Sequence, residues 1–155
     1  MSVAKRELRL VSWRDRAFQQ LVAQLDRSYV ERFGDVALKY QAYHHPEELE
    51  HACVLYLDGQ PVACGAFQRR DARTAELKRV FVRPDCRRRG YARDIVEMLE
   101  QQAQFHGYAA MSLETGREMP EAVALYRGLG YREVPGWGVF AGDPVCICME
   151  KELLE

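Results

Sequence analysis

The sequence predicts an α/β (α+β) sandwich, with a mixed, mostly antiparallel central sheet of about six or seven strands flanked by helices. Three observations predict it. An amphipathic helical stripe, Phe18, Leu21, Val22, Leu25, Tyr29 and Phe33, precedes strand-like segments between Cys53 and Val82. The turn residues Asp58-Gly59 divide those segments as a hairpin turn does. A strand, loop, helix and strand then follow from Ala75 to Glu114, so the order is not a repeating βαβ array.

Each element has its own signature. Glu7–Val11 reads as a short strand, and Ser12 with Asp15 matches the S/T-x-x-D/E start of a helix. The stripe from Phe18 to Phe33 is that helix. A weaker helical patch covers Val36–Tyr43, and His44-His45-Pro46-Glu47-Glu48 reads as a polar loop. Cys53–Leu57 and Val62–Phe67 are the hairpin strands, and Arg69–Arg73 is a polar turn. Ala75–Val82 is a strand ended by Pro84. Beyond Arg87-Arg88-Arg89-Gly90, a long helix carries Ala92, Ile95, Val96, Leu99 and Ala103 on one face, with Gly107 as its stop. Ala109–Glu114 is a strand. Pro120 suits the first position of a helix with Ala122, Leu125, Tyr126 and Leu129 inward, ended by Gly130. Strands at Tyr131–Val134 and Val145–Lys151 complete the order. No repeat, low-complexity tract or linker interrupts it, so one domain is expected over residues 1–155.

Composition excludes several classes. The 155 residues are 48% hydrophobic, enough for a core without staples. With 22 basic and 23 acidic residues the net charge is −1, so bulk charge favours neither nucleic acid nor an anionic membrane. The cysteines, Cys53, Cys64, Cys86, Cys146 and Cys148, are odd in number, form no CxxC pair and mostly sit in apolar runs. Free thiols in a reducing compartment are expected, with Cys86 exposed in its loop. Met1–Arg9 is charged with no apolar leader, and no apolar run is long enough to span a membrane, so a cytoplasmic protein is expected. His44, His45, His51 and His106 lack metal-ligand spacing, and no metal is expected.

The chemistry concentrates in the strand-loop-helix unit. A strand feeding a helix through a short loop leaves the first helical N–H groups without partners, at the positive end of the helix dipole. Gly90 permits a positive φ and close approach of a phosphate, Ala92 is nearly as small, and Arg87, Arg88 and Arg89 add permanent positive charge. An arginine run alone reads equally as a solvated basic patch. No G-x-G-x-x-G and no G-x-x-x-x-G-K-[ST] is present.

Glu76-Leu77-Lys78-Arg79-Val80-Phe81-Val82-Arg83-Pro84 followed by Arg87-x-x-Gly90-x-Ala92 resembles the central motif of the GNAT N-acetyltransferase superfamily, written Q/R-x-x-G-x-G/A. Ala122-Val123-Ala124-Leu125-Tyr126-Arg127-Gly128-Leu129-Gly130-Tyr131 resembles its second signature, a tyrosine ahead of a Gly-aromatic pair. The resemblance implies a sheet splayed between its fourth and fifth strands, and acetyl-CoA as acyl donor to an amine. It implies that backbone groups near Phe81 and Val82 hold the pantetheine arm, and that amides of Arg87, Arg88, Arg89, Gly90, Tyr91, Ala92 and Arg93 hold the pyrophosphate. Tyr126 would lie near the thioester sulfur. Many members carry an asparagine seven residues before that tyrosine, where this chain has Met119. Dimers are common in the family, so a homodimer is among the expectations.

Amine acetylation needs a neutral amine and a protonated leaving thiolate. A lysine-like amine of pKa about 10.4 costs about 4 to 5 kcal/mol to deprotonate at pH 7. Glu76 is the first candidate base, and its alternative is a structural pair with Lys78. Glu114 is the second candidate, and water is a third route. Without a bulge, Glu76 shares a strand face with Val80 and Val82. Tyr126 is the candidate general acid and otherwise a core tyrosine. The glycine-rich aromatic loop at 135–140 is a candidate border of the acceptor site, and the acceptor is expected to be a small molecule. A protein or peptide acceptor, a catalytically silent acyl-CoA-binding domain and a basic nucleic-acid module are the competing expectations.

Overall fold

The computed structural model describes residues 4–153 of the chain, apart from the side chain of Phe140. The charged stretch Met1–Arg9 is therefore seen from Ala4 onward, and the single domain expected over 1–155 extends at both ends outside the described residues. Strand β1 (Arg6–Val11) leads to helices α1 (Arg16–Phe33) and α2 (Val36–Gln41). A meander of β2 (Leu49–Leu57), β3 (Gln60–Arg69) and β4 (Thr74–Val82) follows. Then come α3 (Tyr91–Phe105), β5 (Ala110–Gly116), α4 (Pro120–Gly128), β6 (Arg132–Val134) and β7 (Cys146–Glu152). The seven described strands form one sheet in the order β1-β2-β3-β4-β5-β7-β6. Every neighbouring pair is antiparallel except β4 and β5.

Local chemistry accounts for most boundaries. Asp15, rather than Ser12, caps α1, since its carboxylate accepts from the Phe18 amide at 3.0 Å. Ser12 instead shapes the turn out of β1, its carbonyl accepting from the Asp15 amide at 3.0 Å. Asp58 and Gly59 have φ of 48° and 81°, the left-handed pair that matches the twist of a two-residue hairpin.

Two layers cover the sheet. Ile95, Val96, Leu99, Ala103 and Tyr126 of α3 and α4 pack against Leu55, Phe67, Leu77, Met111, Leu113 and Met149. On the opposite face, Phe18, Leu21 and Leu25 of α1 meet Ala52, Val54, Cys64, Ala66 and Phe81.

A bulge in β4 changes which side chains share a face. Lys78 pairs with Ala66 and Phe81 with Cys64, so Arg79 and Val80 together oppose the single residue Gly65. Arg79 takes a φ of 61° there. Simple alternation would group Glu76 with Val80 and Val82. The bulge instead sends Val80 and Val82 to the α3 side with Leu77, and Phe81 to the α1 side. Gly65 is what allows α3 to lie this close, because a Cβ there would stand 2.6 Å from Ile95 Cγ2 and 3.0 Å from Leu99 Cδ1.

Past the bulge the sheet opens. β4 and β5 pair only at Thr74 with Ala110, Ala75 with Met111 and Glu76 with Ser112. Both strands run on, to Val82 and Gly116, without facing each other in a ladder.

Candidate active site

The loop after β4 places the predicted anion-binding residues around one helix end. Gly90 is the N-cap of α3 at φ 84°, with no side-chain cap for the helix. The amides of Tyr91, Ala92 and Arg93 therefore open the first turn with no intrahelical acceptor. Nothing lies within 4 Å of a Cβ built on Gly90, so the approach to those amides is open. Arg88 also has positive φ, 65°, and Arg87, Arg88, Arg89 and Arg93 are exposed. Arg87 ties the loop to the strand end by donating from Nε to the Val82 carbonyl at 3.0 Å. Free amides, an unobstructed glycine and the helix dipole together fit a pyrophosphate. Cys86, expected to be exposed, is 7% exposed and turned into the core. Burial, reinforced by Asp85, pushes its thiol pKa up, so it holds its proton.

At the mouth of the β4–β5 gap, titratable groups converge from both layers. On the α1 side Glu76 is 5% exposed, with Oε2 3.0 Å from Lys78 Nζ. That is a charge contact, and Oε2 has no aligned hydrogen bond. Glu114 comes from β5, beyond the last residue paired to β4. Burial raises its carboxyl pKa above the ordinary range, Lys78 opposes the shift and Glu76 adds to it. On the α4 side Tyr126 is 8% exposed, its ring T-shaped against Tyr131 at 5.7 Å. Its hydroxyl pKa is raised by burial first and then by Tyr29 and Glu114. Tyr29, from α1, is pushed up to about 12 by burial and next by Glu114. A closed sheet would separate these layers. Here groups on its two faces interact through the gap, and no hydrogen bond among the described residues engages the Tyr126 hydroxyl.

Two cavities adjoin this point. One of about 290 Å³ is lined by Tyr29, Phe33, Tyr40, Glu114 and Met119 among others. Another of about 380 Å³, on the far side of His44, is lined by Trp13, Asp26, Lys78 and Arg79 among others. The partition between them is held electrostatically. The Arg79 guanidinium, 7% exposed, donates to Asp26 Oδ1 at 2.7 Å and meets His44 Nδ1 at 2.5 Å. Burial, then Arg79, lower the His44 pKa to about 3, so the ring is neutral and accepts.

Tyr29, Tyr40, His44 and Arg79 are not among the site residues that the sequence suggests. The available signal was weak: Tyr29 sits late in the α1 stripe, where its hydroxyl brings a polar tip to an apolar face. The loop at 135–140 is not among the residues that line the smaller cavity; its Trp137 packs with Tyr40 against the cluster of Cys146 and Cys148. Met119 stands at the N-cap of α4 and lines the same cavity.

A sequence profile of the acetyltransferase (GNAT) family matches residues 9–131. The chain belongs to this family. Among curated GNAT relatives, an "IAA acetyltransferase" from Azospirillum brasilense is 35% identical over 96 residues, 61% of this chain and 63% of that protein. The chain thus aligns with less than two thirds of the length of the curated relatives it matches first. The crystal structure of a Klebsiella pneumoniae protein, provisionally named an acyl-CoA N-acyltransferase, superposes with a TM-score of 0.80 at 25% identity, covering 96% of this chain and 98% of the other. A GNAT family acetyltransferase from Elizabethkingia anophelis with acetyl-CoA bound has a TM-score of 0.69 at 14% identity over 95% and 97% of the two chains, a likeness of fold alone. The seven-stranded mixed sheet with its parallel, splayed β4–β5 pair is thus a GNAT fold. Among the described residues no group of histidines, cysteines and carboxylates is arranged for a metal, and no helix is long and apolar enough to cross a membrane.

Proposed function

We propose that this chain transfers an acetyl group from acetyl-CoA to the primary amine of a small molecule. The observation that carries this is the gap itself: it runs from the open amides at Gly90 to the point where Tyr126 and Glu114 interact from opposite layers.

Acetyl-CoA would supply an activated acetyl thioester. The amides of Arg87 to Arg93 would hold its pyrophosphate, and free backbone groups of β4 near Phe81 and Val82 its pantetheine arm. Of these, the Val82 carbonyl is already taken by Arg87, so Arg87 orders the loop rather than adding only charge. The amine nitrogen forms the new bond to the acetyl carbon as the carbon–sulfur bond breaks. Its proton goes to Glu114, directly or through a water, and the departing thiolate takes the Tyr126 proton. A phenol whose pKa is raised by burial stays protonated across the working range, as a donor must. A carboxylate whose pKa is raised by burial is the stronger base, and Glu114 is the one that reaches the cavity. Glu76, the first candidate in the sequence, would then act with Lys78 beneath it, setting the charge that Glu114 experiences.

Calorimetric titration with acetyl-CoA, alongside CoA release across a panel of amines, tests this. The wild-type chain should bind acetyl-CoA and release CoA with at least one amine. Gly90→Glu should abolish binding, because a carboxylate at that φ meets the pyrophosphate with both bulk and like charge. Wild-type affinity in that variant would place the donor elsewhere. Binding with no CoA release from any amine would leave only an acyl-CoA-binding domain.

A further inference from the structure

We propose that the acceptor is a monoamine with an apolar, ring-sized arm and no carboxylate, an arylalkylamine or alkylamine rather than an amino acid. This rests on the transfer reading above and names the substrate class for that site.

The smaller cavity carries the inference. Its walls are Tyr29, Phe33 and Tyr40, with Val36, Met119 and Val145 completing the apolar lining. Its formal charge comes from Glu114 and Glu118, and neither lysine nor arginine is among its lining residues. His44 lines it as well, neutral because burial and Arg79 hold its pKa near 3. The nearby cations are each engaged. Arg79 is bound to Asp26 and Lys78 is in contact with Glu76. Arg32 is paired with Glu121 at the exposed end of α1, donates to the Glu118 backbone carbonyl and lies within the field of the Glu118 carboxylate, so its charge is already matched by two glutamates.

Such a cavity discriminates by charge. An ammonium entering it meets carboxylates, sheds one proton to water to become the neutral amine, and gives a second to Glu114 as the carbon–nitrogen bond forms. A carboxylate on the α-carbon would be buried next to Glu114 with no cation to receive it, a cost that truncating one partner of a buried ion pair shows to be large. The volume of about 290 Å³ suits a ring or a short alkyl chain, at the small end of ligand pockets. The aromatic rings in its lining recognise an apolar arm better than a polar one.

A matched pair isolates the carboxylate. The specificity constant kcat/KM for 2-phenylethylamine should exceed that for L-phenylalanine by about 100-fold, as expected for a buried like-charge clash. The α-amine of the amino acid is the less basic of the two, so ease of deprotonation works against this preference and does not explain it. Glu118→Lys, at an exposed position, supplies the missing cation and should narrow the ratio at least several-fold, mainly through KM. Equal constants for the pair, or an unmoved ratio in Glu118→Lys, overturn the assignment. CoA release with other amines but with neither member of the pair overturns it and leaves acetyl transfer standing. No release with any amine overturns both.

Discussion

At Glu114 a single carboxylate decides the proposed proton path. Its pKa is raised by burial, so the base is in its active form only above that value and the rate should fall as pH drops through it. Glu114→Gln should lower kcat by about 10²- to 10⁴-fold and remove that limb of the pH–rate profile. Glu76→Gln should move the limb without removing it. A profile unchanged in Glu114→Gln and lost in Glu76→Gln would reverse the two roles. Linkage gives a second readout with a definite sign. A carboxyl with a raised folded-state pKa contributes stability below its ordinary 4.5, and that contribution is lost as pH rises through the folded value. Glu114→Gln should therefore gain thermal stability over wild type as pH rises from 4 to 8. Tyr126→Phe should lower turnover more than acetyl-CoA affinity, whereas equal losses would make it a packing residue. The place of Tyr126 on the inner face of α4 was legible in the sequence, because its helical stripe and motif fix it. The choice between Glu76 and Glu114 was not, because it depends on how deeply each carboxylate is buried once α1 and α2 are laid over the sheet.

The bulge in β4 is the element on which the gap depends. Two residues opposite one rotate the end of β4 by a half-turn of its pleat, so Phe81 anchors α1 while Val80 and Val82 anchor α3. Gly65 is its partner on β3, and Gly65→Val should cost about 1 to 3 kcal/mol, because Ile95 and Leu99 have no room to withdraw. A denaturant midpoint within error of wild type would show that α3 rides over the bulge with more slack than its contacts imply. Period-two patterning marked β4 correctly as a strand over Ala75–Val82 and misassigned the faces of its second half. Alternation in sequence does not register an inserted residue, and nothing in the local sequence marks Arg79 for the φ of 61° that it takes at the bulge. Capping chemistry was clearer. Gly90, Gly107 and Gly130, expected at helix ends, all have positive φ, where a Cβ would be strained.

Across the whole molecule, the apolar face of α1 seals against the sheet, and a small polar network adds a second tie between that layer and β4. Arg79 from β4, Asp26 from α1 and His44 after α2 meet in it. His44 is neutral in the fold, with a pKa near 3 against an ordinary 6.5. Stability from a depressed histidine is present above 6.5 and is lost as pH falls from there toward 3. Protonation also sets an imidazolium against Arg79, so acid should loosen α2 before the sheet melts. His44→Gln, which keeps a hydrogen-bond acceptor, should flatten the acid limb of urea midpoints measured between pH 7 and 4. An identical acid limb would mean that the His44 contact adds nothing to the apolar packing of this layer.

What the sequence determined by itself was local and periodic. Hydrophobic stripes, turn residues and the two spaced motifs depend on neighbours a few positions apart, and from them came the element order, the open helix end at Gly90 and the family. What only the tertiary structure decided was non-local. The face of Glu76, the burial of Cys86, the joining of Tyr126 and Glu114 through the sheet, and the acidic lining of the smaller cavity each require residues tens of positions apart to be packed together. Burial and Coulomb energy are set by those distances, and no spacing along the chain encodes them directly.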